Sequence, residues 1–133
     1  IDSIRSSHRL SLHGFPNLLI TSNAQSGFTT NFPHAMDERA RHLVYVLDRC
    51  RTDGVRTLEA TAAAQDAWVE EMLAASRFNE EFLASCTPGY YNNEGQPNRR
   101  SVQDGPYGRG PVRFFRLLER WRAEGGLDGL ERR

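Results

Sequence analysis

Phe15-Pro16-Asn17-Leu18-Leu19-Ile20-Thr21 joins a turn to a short apolar run. Pro16 stands ahead of the run, where its missing N–H costs no ladder bond, so the segment reads as a buried strand. Residues 22–31 are small and polar with Gly27, and read as a loop leaving the C-terminal end of that strand. A lone strand cannot satisfy its own backbone groups. Its partners are therefore expected in other sequence or another subunit. The fold class that follows is an α+β fragment, mostly helical, with one or two short strands and three helices.

The first helix is set by its ends. Asn31 is a good N-cap, Pro33 lies in the first turn, and Asp37 and Glu38 follow near the positive end of the helix dipole. Met36, Ala40, Leu43, Leu47 and Cys50 recur at alternating spacings of four and three, with Val44 broadening the apolar stripe. Arg49 and Arg51 suit the last turn, and Asp53-Gly54 ends it. Residues 55–60 read as a short extended segment. Thr61 then caps a second helix running to about Ser85, with Ala64, Trp68, Met72, Ala75, Phe78 or Asn79, and Phe82 on its apolar side. Trp68 at helical spacing is a core residue rather than a cofactor platform. Pro111 opens a third helix whose apolar side is Phe114, Phe115, Leu118 and Trp121, ending at Gly125-Gly126.

Between the second and third helices, Cys86-Thr87-Pro88-Gly89-Tyr90-Tyr91-Asn92-Asn93-Glu94-Gly95-Gln96-Pro97-Asn98 opens a loop that lasts to Gly110. Pro and Gly set turns, the amides supply donors and acceptors, and the tyrosines offer apolar faces with a polar tip. A structureless run of this length marks a functional or mobile segment.

The chain has 133 residues, enough for one domain or a piece of a larger protein. Seventeen basic and seventeen acidic residues cancel, so overall charge gives no reason to propose nucleic acid or an anionic membrane as partner. Every basic residue is Arg, which excludes Schiff-base lysine chemistry and a P-loop lysine from this chain. Cys50 and Cys86 lie in no metal-binding pattern and read as reduced thiols. No run approaches the roughly 20 apolar residues of a membrane span, and residues 1–5 lack the apolar core of a signal peptide, so a cytoplasmic protein is expected. The absent initiator Met suggests a chain that starts inside a longer one.

No complete catalytic set is visible, and none of its residues is assigned as catalytic. His8, His13, His34 and His42 do not pair at ligand spacing, so no metal site is expected. Asp37-Glu38 and Glu70-Glu71 point to different sides of their helices and read as solvated faces. Thr29-Thr30-Asn31-Phe32 carries more, because it leads into a helix N-terminus with unpaired N–H groups that favour electron-rich ligand atoms. Its plain alternative is an ordinary capped helix. Arg99, Arg100, Arg109 and Arg113 could serve a phosphate-bearing cofactor or simply face solvent. Tyr90 and Tyr91 could equally anchor the loop on its own protein.

Taken together and in order, these residues resemble the C-terminal part of Baeyer–Villiger-type flavin-dependent monooxygenases, in the flavin-containing monooxygenase superfamily. Gly14-Phe15-Pro16-Asn17-Leu18 resembles the start of the family's strand, and Ser26-Gly27-Phe28-Thr29-Thr30-Asn31-Phe32 its loop and helix start beside the flavin. Glu59-Ala60-Thr61 with Trp68-Val69 resembles the second helix. The segment from Thr87 to Asn98, with Tyr107-Gly108-Arg109-Gly110-Pro111, resembles the region closing over the nicotinamide cofactor. The match covers about residues 10–130.

The resemblance implies an enzyme in which NADPH reduces FAD and one atom of molecular oxygen is inserted next to a ketone carbonyl, giving an ester or lactone, the other atom leaving as water. It implies that Thr30, Asn31 and Phe32 face the flavin pyrimidine ring. Ser26, Gly27, Phe28 and Thr29 would line the substrate side. Tyr90, Tyr91, Asn92 and Asn93 would belong to a mobile loop ordering over NADP(H). Residues 1–14, polar and without a clear period, read as a linker or loop; the resemblance implies the terminal strand and helix of an FAD-binding domain at 15–60, and a C-terminal helical segment at 61–133 with the cofactor-covering loop at 86–110. The whole enzyme would be a two-dinucleotide-binding-domain α/β fold. No GxGxxG occurs here, nor FxGxxxHxxxWP, nor the family's catalytic Arg. Alone, the chain is therefore expected to be inactive and to bind no cofactor, its missing N-terminal domains supplying the phosphate sites. Its exposed apolar faces should promote self-association. A non-catalytic helical interaction module derived from such an enzyme is the alternative.

Overall fold

Asn31 starts the longest helix, α1 (Phe32–Thr52), by accepting the His34 N–H at 3.2 Å on Oδ1. Pro33 lies in the first turn, and the Asp53 N–H returns to the Arg49 carbonyl at 2.9 Å, so both ends fall where the sequence sets them. In this computed structural model the described residues are 5–8, 10–76, 80–89, 92–96 and 102–133. The elements that follow are β1 (Leu58–Ala60), α2 (Ala62–Ala75), α3 (Glu80–Ser85), α4 (Pro111–Glu124) and β2 (Leu130–Arg132). Among the described residues the regular structure is chiefly three long helices and a two-stranded antiparallel sheet.

The strand expected at 15–21 does not form. Leu18 N–H reaches back to the Phe15 carbonyl at 3.2 Å and Asn17 has φ 61°, a turn with Pro16 and Asn17 at its two central positions. Pro followed by a residue at positive φ is the signature of a type II turn, and it breaks the extended run. Leu19 keeps a single isolated bridge, to Ser11. The two strands lie elsewhere. β1 falls within the extended segment expected at 55–60, and it pairs with β2, which the sequence reading did not anticipate, in the register Leu58 with Arg132 and Ala60 with Leu130.

Asn17 nevertheless serves the sheet. Its N–H donates to the Leu58 carbonyl at 2.8 Å, its Oδ1 accepts the Leu58 N–H at 2.9 Å, and its Nδ2 donates to the Arg56 carbonyl at 3.1 Å. One residue therefore occupies the edge of β1 that β2 leaves open. Replacing Asn17 by Ala removes two of these bonds and keeps a Cβ residue at positive φ. The expected loss is about 2 kcal/mol, read as a lower denaturation midpoint at unchanged m-value.

α1 is rotated relative to its expected stripe. The buried side is Ala35, Arg39, His42, Val46 and Cys50, whereas Met36, Val44 and Leu47 are exposed. The helix thus turns a partly polar face inward and leaves an apolar line of Phe32, Met36, Ala40, Val44 and Leu47 outside. α2 also departs from expectation. It ends at Ser76 instead of continuing to Ser85, α3 being a separate piece. Trp68, Met72 and Ala75 are buried as expected, but Phe82 on α3 is 62% exposed. Phe78 and Asn79 lie outside the described residues.

α4 follows the sequence reading: Pro111 in the first turn, Gly125 left-handed at the C-cap, and Phe114, Phe115, Leu118 and Trp121 buried. Two apolar clusters result. In one, Ala35 of α1 meets Trp68, Met72 and Ala75 of α2 and Phe114, Phe115 and Leu118 of α4, with Tyr107 stacked on Trp68 at 5.7 Å. In the other, Leu10, Val46, Cys50, Leu58, Trp121 and Leu127 gather where α1 ends beside the sheet. Trp121 Nε1 donates to the Asp128 carbonyl at 3.0 Å, which fixes the turn that returns the chain to β2.

Candidate functional site

The loop at 22–31 is held by polar contacts that the sequence does not advertise. Arg39, two turns into α1, donates to Asn23 Oδ1 and Ser26 Oγ, both at 3.0 Å, and reaches the Gly27 carbonyl at 3.5 Å. Ser26 Oγ donates to the carbonyls of Ser22 and Asn23 at 2.9 and 3.0 Å. Gln25 is fully buried and its Oε1 accepts the Ser6 hydroxyl at 2.7 Å. Arg39 is the residue the sequence reading missed. Its signal was the spacing of Ala35, Arg39, His42, Val46 and Cys50, which repeats at helical period as regularly as the apolar stripe beside it.

The same loop is tied to the segment ahead of α4. Gln25 N–H donates to the Gly105 carbonyl at 2.7 Å, and Tyr107 N–H donates to the Ser26 carbonyl at 2.9 Å. At Gly27 an added Cβ would lie 2.9 Å from Phe114 and 3.1 Å from Pro111, so only glycine lets the loop lie this close to α4. The structure therefore brings together the expected flavin-side loop and the tail of the expected cofactor-covering loop.

Along 26–32 burial gives way to exposure. Ser26 and Gly27 are buried, Thr29 is half-buried, and Phe28, Thr30, Asn31 and Phe32 are exposed. The Asn31 N–H goes to Thr29 Oγ1 at 3.2 Å and the His34 N–H to Asn31, but the Phe32 N–H has no acceptor among the described residues. That N–H lies at the positive end of a 21-residue helix, in a segment where Phe28 and Phe32 are exposed.

Within the loop at 86–110, Asn92, which is 3% exposed, ties together the described residues Thr87, Gly89 and Gly95. Its Oδ1 accepts the N–H groups of Gly89 and Gly95 at 2.8 and 3.1 Å, and its Nδ2 donates to the Thr87 carbonyl at 3.1 Å. Asn93 takes φ 51° and donates to the Gln96 carbonyl at 2.9 Å. Tyr90, Tyr91, Arg99 and Arg100, singled out in the sequence, lie outside the described residues. Tyr107 donates to Glu71 at 2.6 Å, and burial with that bond pushes its phenol up to about 12. Arg109 lies 3.7 Å from the same carboxylate.

The histidines are structural in their contacts. His8 sets its ring edge against Trp68 at 5.3 Å and Trp121 at 5.7 Å, and burial lowers its pKa to about 4. His42 lies 5.1 Å from Trp121, and burial, then the charges of His8 and Arg122, lower it to about 3. His34 meets Phe115 edge-on, and His13 Nδ1 is 3.1 Å from the Ala60 carbonyl. Among the described residues no group of three His, Cys, Asp or Glu could hold a metal ion, and no helix is long and apolar enough to cross a membrane. What the described residues assemble is a surface that can bind, with a free N–H and two aromatic rings.

No family model matches the chain. Among curated proteins, neopentalenolactone D synthase of Streptomyces avermitilis is 39% identical over 132 residues, 99% of this chain and 22% of the relative. An FAD-binding monooxygenase of Hypomyces subiculosus is 36% identical over 125 residues, 94% of this chain and 21% of the relative. A Baeyer–Villiger monooxygenase of Stachybotrys chlorohalonatus is 34% identical over 124 residues, 92% of this chain and 20% of the relative. The polycyclic ketone monooxygenase of Thermothelomyces thermophila superposes with a TM-score of 0.80 at 29% identity, covering 98% of this chain and 21% of that one. A steroid monooxygenase bound to NADP superposes at 0.75 with 20% identity over 97% of this chain and 23% of that one, a likeness of fold. The chain spans about a fifth of the length of the curated relatives it matches. It matches a C-terminal part of Baeyer–Villiger-type flavin-dependent monooxygenases, as the sequence reading expected.

Proposed function

We propose that this chain is the part of an NADPH- and FAD-dependent Baeyer–Villiger-type monooxygenase that faces the flavin and the bound ketone, and that it acts only together with the remaining four-fifths of such a protein. The observation that carries this is the Phe32 N–H at the start of α1, which has no acceptor among the described residues and lies in a segment where Phe28 and Phe32 are exposed. A donor at the positive end of a helix suits a carbonyl oxygen that gains negative charge, as on a flavin pyrimidine ring. FAD, once reduced by NADPH, would supply the chemistry that activates molecular oxygen next to the ketone carbonyl.

In this reading Thr30, Asn31 and Phe32 hold the flavin edge, with the Asn31 side chain fixing the helix start through His34. Phe28 and Thr29 form the substrate side, and buried Ser26 and Gly27 set their position from behind. Asn92 and Asn93 shape the turn that would present Tyr90 and Tyr91 over NADP(H) and keep water out. A cytoplasmic location fits this role.

The chimera that replaces the matching segment of neopentalenolactone D synthase with this chain tests the proposal. Retained FAD and turnover of that enzyme's own substrate are expected, and Asn31→Leu in the chimera is expected to lower turnover at least about tenfold. A folded chimera without FAD contradicts it.

The exposed line Phe32, Met36, Ala40, Val44 and Leu47 on α1 bears on the alternative, a helical interaction module. Isolated large apolar patches bind something. In the monooxygenase reading that line packs on the rest of the enzyme, and the isolated chain self-associates through it. Light scattering at rising concentration is expected to show oligomers. Val44→Asp with Leu47→Asp should leave a monomer with nearly unchanged Tm, since these side chains are 63% and 50% exposed.

A further inference from the structure

Residues 23–27 are gripped from two sides. On one side Arg39 Nη2 donates to Asn23 Oδ1, Ser26 Oγ and the Gly27 carbonyl at 3.0, 3.0 and 3.5 Å. On the other, Gly27 lies so near Phe114 and Pro111 that an added Cβ would come within 2.9 and 3.1 Å of them. The loop is thus set in place between α1 and α4 at Gly27. The next residue, Phe28, leaves this grip and is 49% exposed.

Both ends of the short span that follows are tied to the same helix. Asn31 is the N-cap of α1 and holds the His34 N–H on Oδ1, while Gly27 is held from Arg39, two turns further along that helix. Residues 28–30 therefore bridge two points fixed by α1, and the place of Phe28 follows from where Arg39 sets Gly27. Stability alone does not account for an arginine here. Arg39 is 8% exposed, burial lowers its pKa, and its hydrogen bonds go to the neutral acceptors of Asn23, Ser26, Gly27 and Met36. A cation buried among neutral acceptors costs stability, whereas a planar guanidinium fixes several acceptors in one geometry. Arg39 gives up stability for a fixed loop position.

We infer, on the reading of Phe28 and Thr29 as the substrate side, that Arg39 is a positioning residue for the ketone. Through Gly27 it sets where Phe28 and Thr29 stand, without itself touching the substrate.

In the chimera with neopentalenolactone D synthase, Arg39→Gln is expected to keep FAD and to raise KM for that enzyme's own substrate about tenfold, with kcat changed less than about threefold. Phe28→Ala should raise KM similarly, and adding Arg39→Gln to Phe28→Ala should cost little more, because Arg39 acts through Phe28. An arginine that only supported the fold would add its loss in full. An active chimera whose KM ignores Arg39→Gln, or in which the two losses add, overturns this inference alone. A folded chimera without FAD overturns the functional reading, and with it the link to the ketone. The grip is read separately on the chain itself, as the Val44→Asp, Leu47→Asp monomer. NMR relaxation should give backbone order parameters of about 0.85 at Gly27 and Phe28, falling below about 0.6 at Phe28 when Arg39→Gln is added. Order parameters that Arg39→Gln leaves unchanged overturn the grip. Should Arg39→Gln not fold, Asn23→Ala, which removes one acceptor and keeps the guanidinium, is expected to move the same readouts in the same direction, and their failure to move overturns the inference.

Discussion

Gly108→Ala is expected to destabilise the fold by at least about 3 kcal/mol, seen as a Tm about 10 °C lower. An added Cβ would lie 2.3 Å from the Ala75 carbonyl oxygen and 2.9 Å from Ser76 Cα. Both are backbone atoms at the end of α2, so no side chain can rotate away. Glycine is what lets the chain cross the C-terminus of α2 at this height. The crossing in turn places Tyr107 on Trp68 and starts α4 at Pro111. Gly89→Ala is the matched control: its new Cβ meets nothing closer than 3.9 Å, and a change of less than about 1 kcal/mol is expected. Equal stability of the two variants would show that the chain does not cross α2 there.

Stability is expected to fall as pH is lowered from 7 to 5, before most carboxylates titrate. His8 and His42 have pKa values of about 4 and about 3 in the fold, against an ordinary value of 6.5. Below 6.5 the unfolded chain therefore binds protons that the folded chain refuses, which favours unfolding. The contribution is complete above the unfolded pKa and is lost as pH falls toward the folded values. The slope approaches about 1.4 kcal/mol per pH unit for each histidine that responds fully. His42 faces His8, Arg122 and Arg39, so protonating it adds charge to an already cationic pocket, whereas His8 is opposed chiefly by burial between two indole rings. Urea unfolding at pH 7.0, 6.0 and 5.0 measures the slope. His42→Asn should reduce it. A flat profile with wild-type protein would mean that neither ring is held neutral.

The ends of α1 and α4 were legible because local chemistry sets them: Asn31 and Pro33 at one start, Gly110 and Pro111 at the other, and Gly125 at φ 76° at a finish. The strand at 15–21 was misplaced because apolarity was weighed above the Pro16-Asn17 turn signal, which the backbone obeys. β2 escaped notice because Leu130, Glu131 and Arg132 are too few to show a period, and their pairing with β1 is non-local. The phase of α1 was misread for a different reason. An apolar stripe is normally aimed at the chain's own core, but here that side is exposed while Arg39 and His42 are buried. The order of the site segments was legible, whereas the two hydrogen bonds joining 25–26 to 105–107 connect residues 80 or so apart and leave no sequence pattern.

The central claim is that the start of α1 meets the flavin. A crystal structure of the FAD-loaded chimera with neopentalenolactone D synthase tests it most directly. The expected result places the Phe32 N–H within hydrogen-bond distance of a pyrimidine carbonyl oxygen of the flavin, with Phe28 on the open side of the ring. A bound flavin with its pyrimidine ring away from residues 30–32 would contradict it.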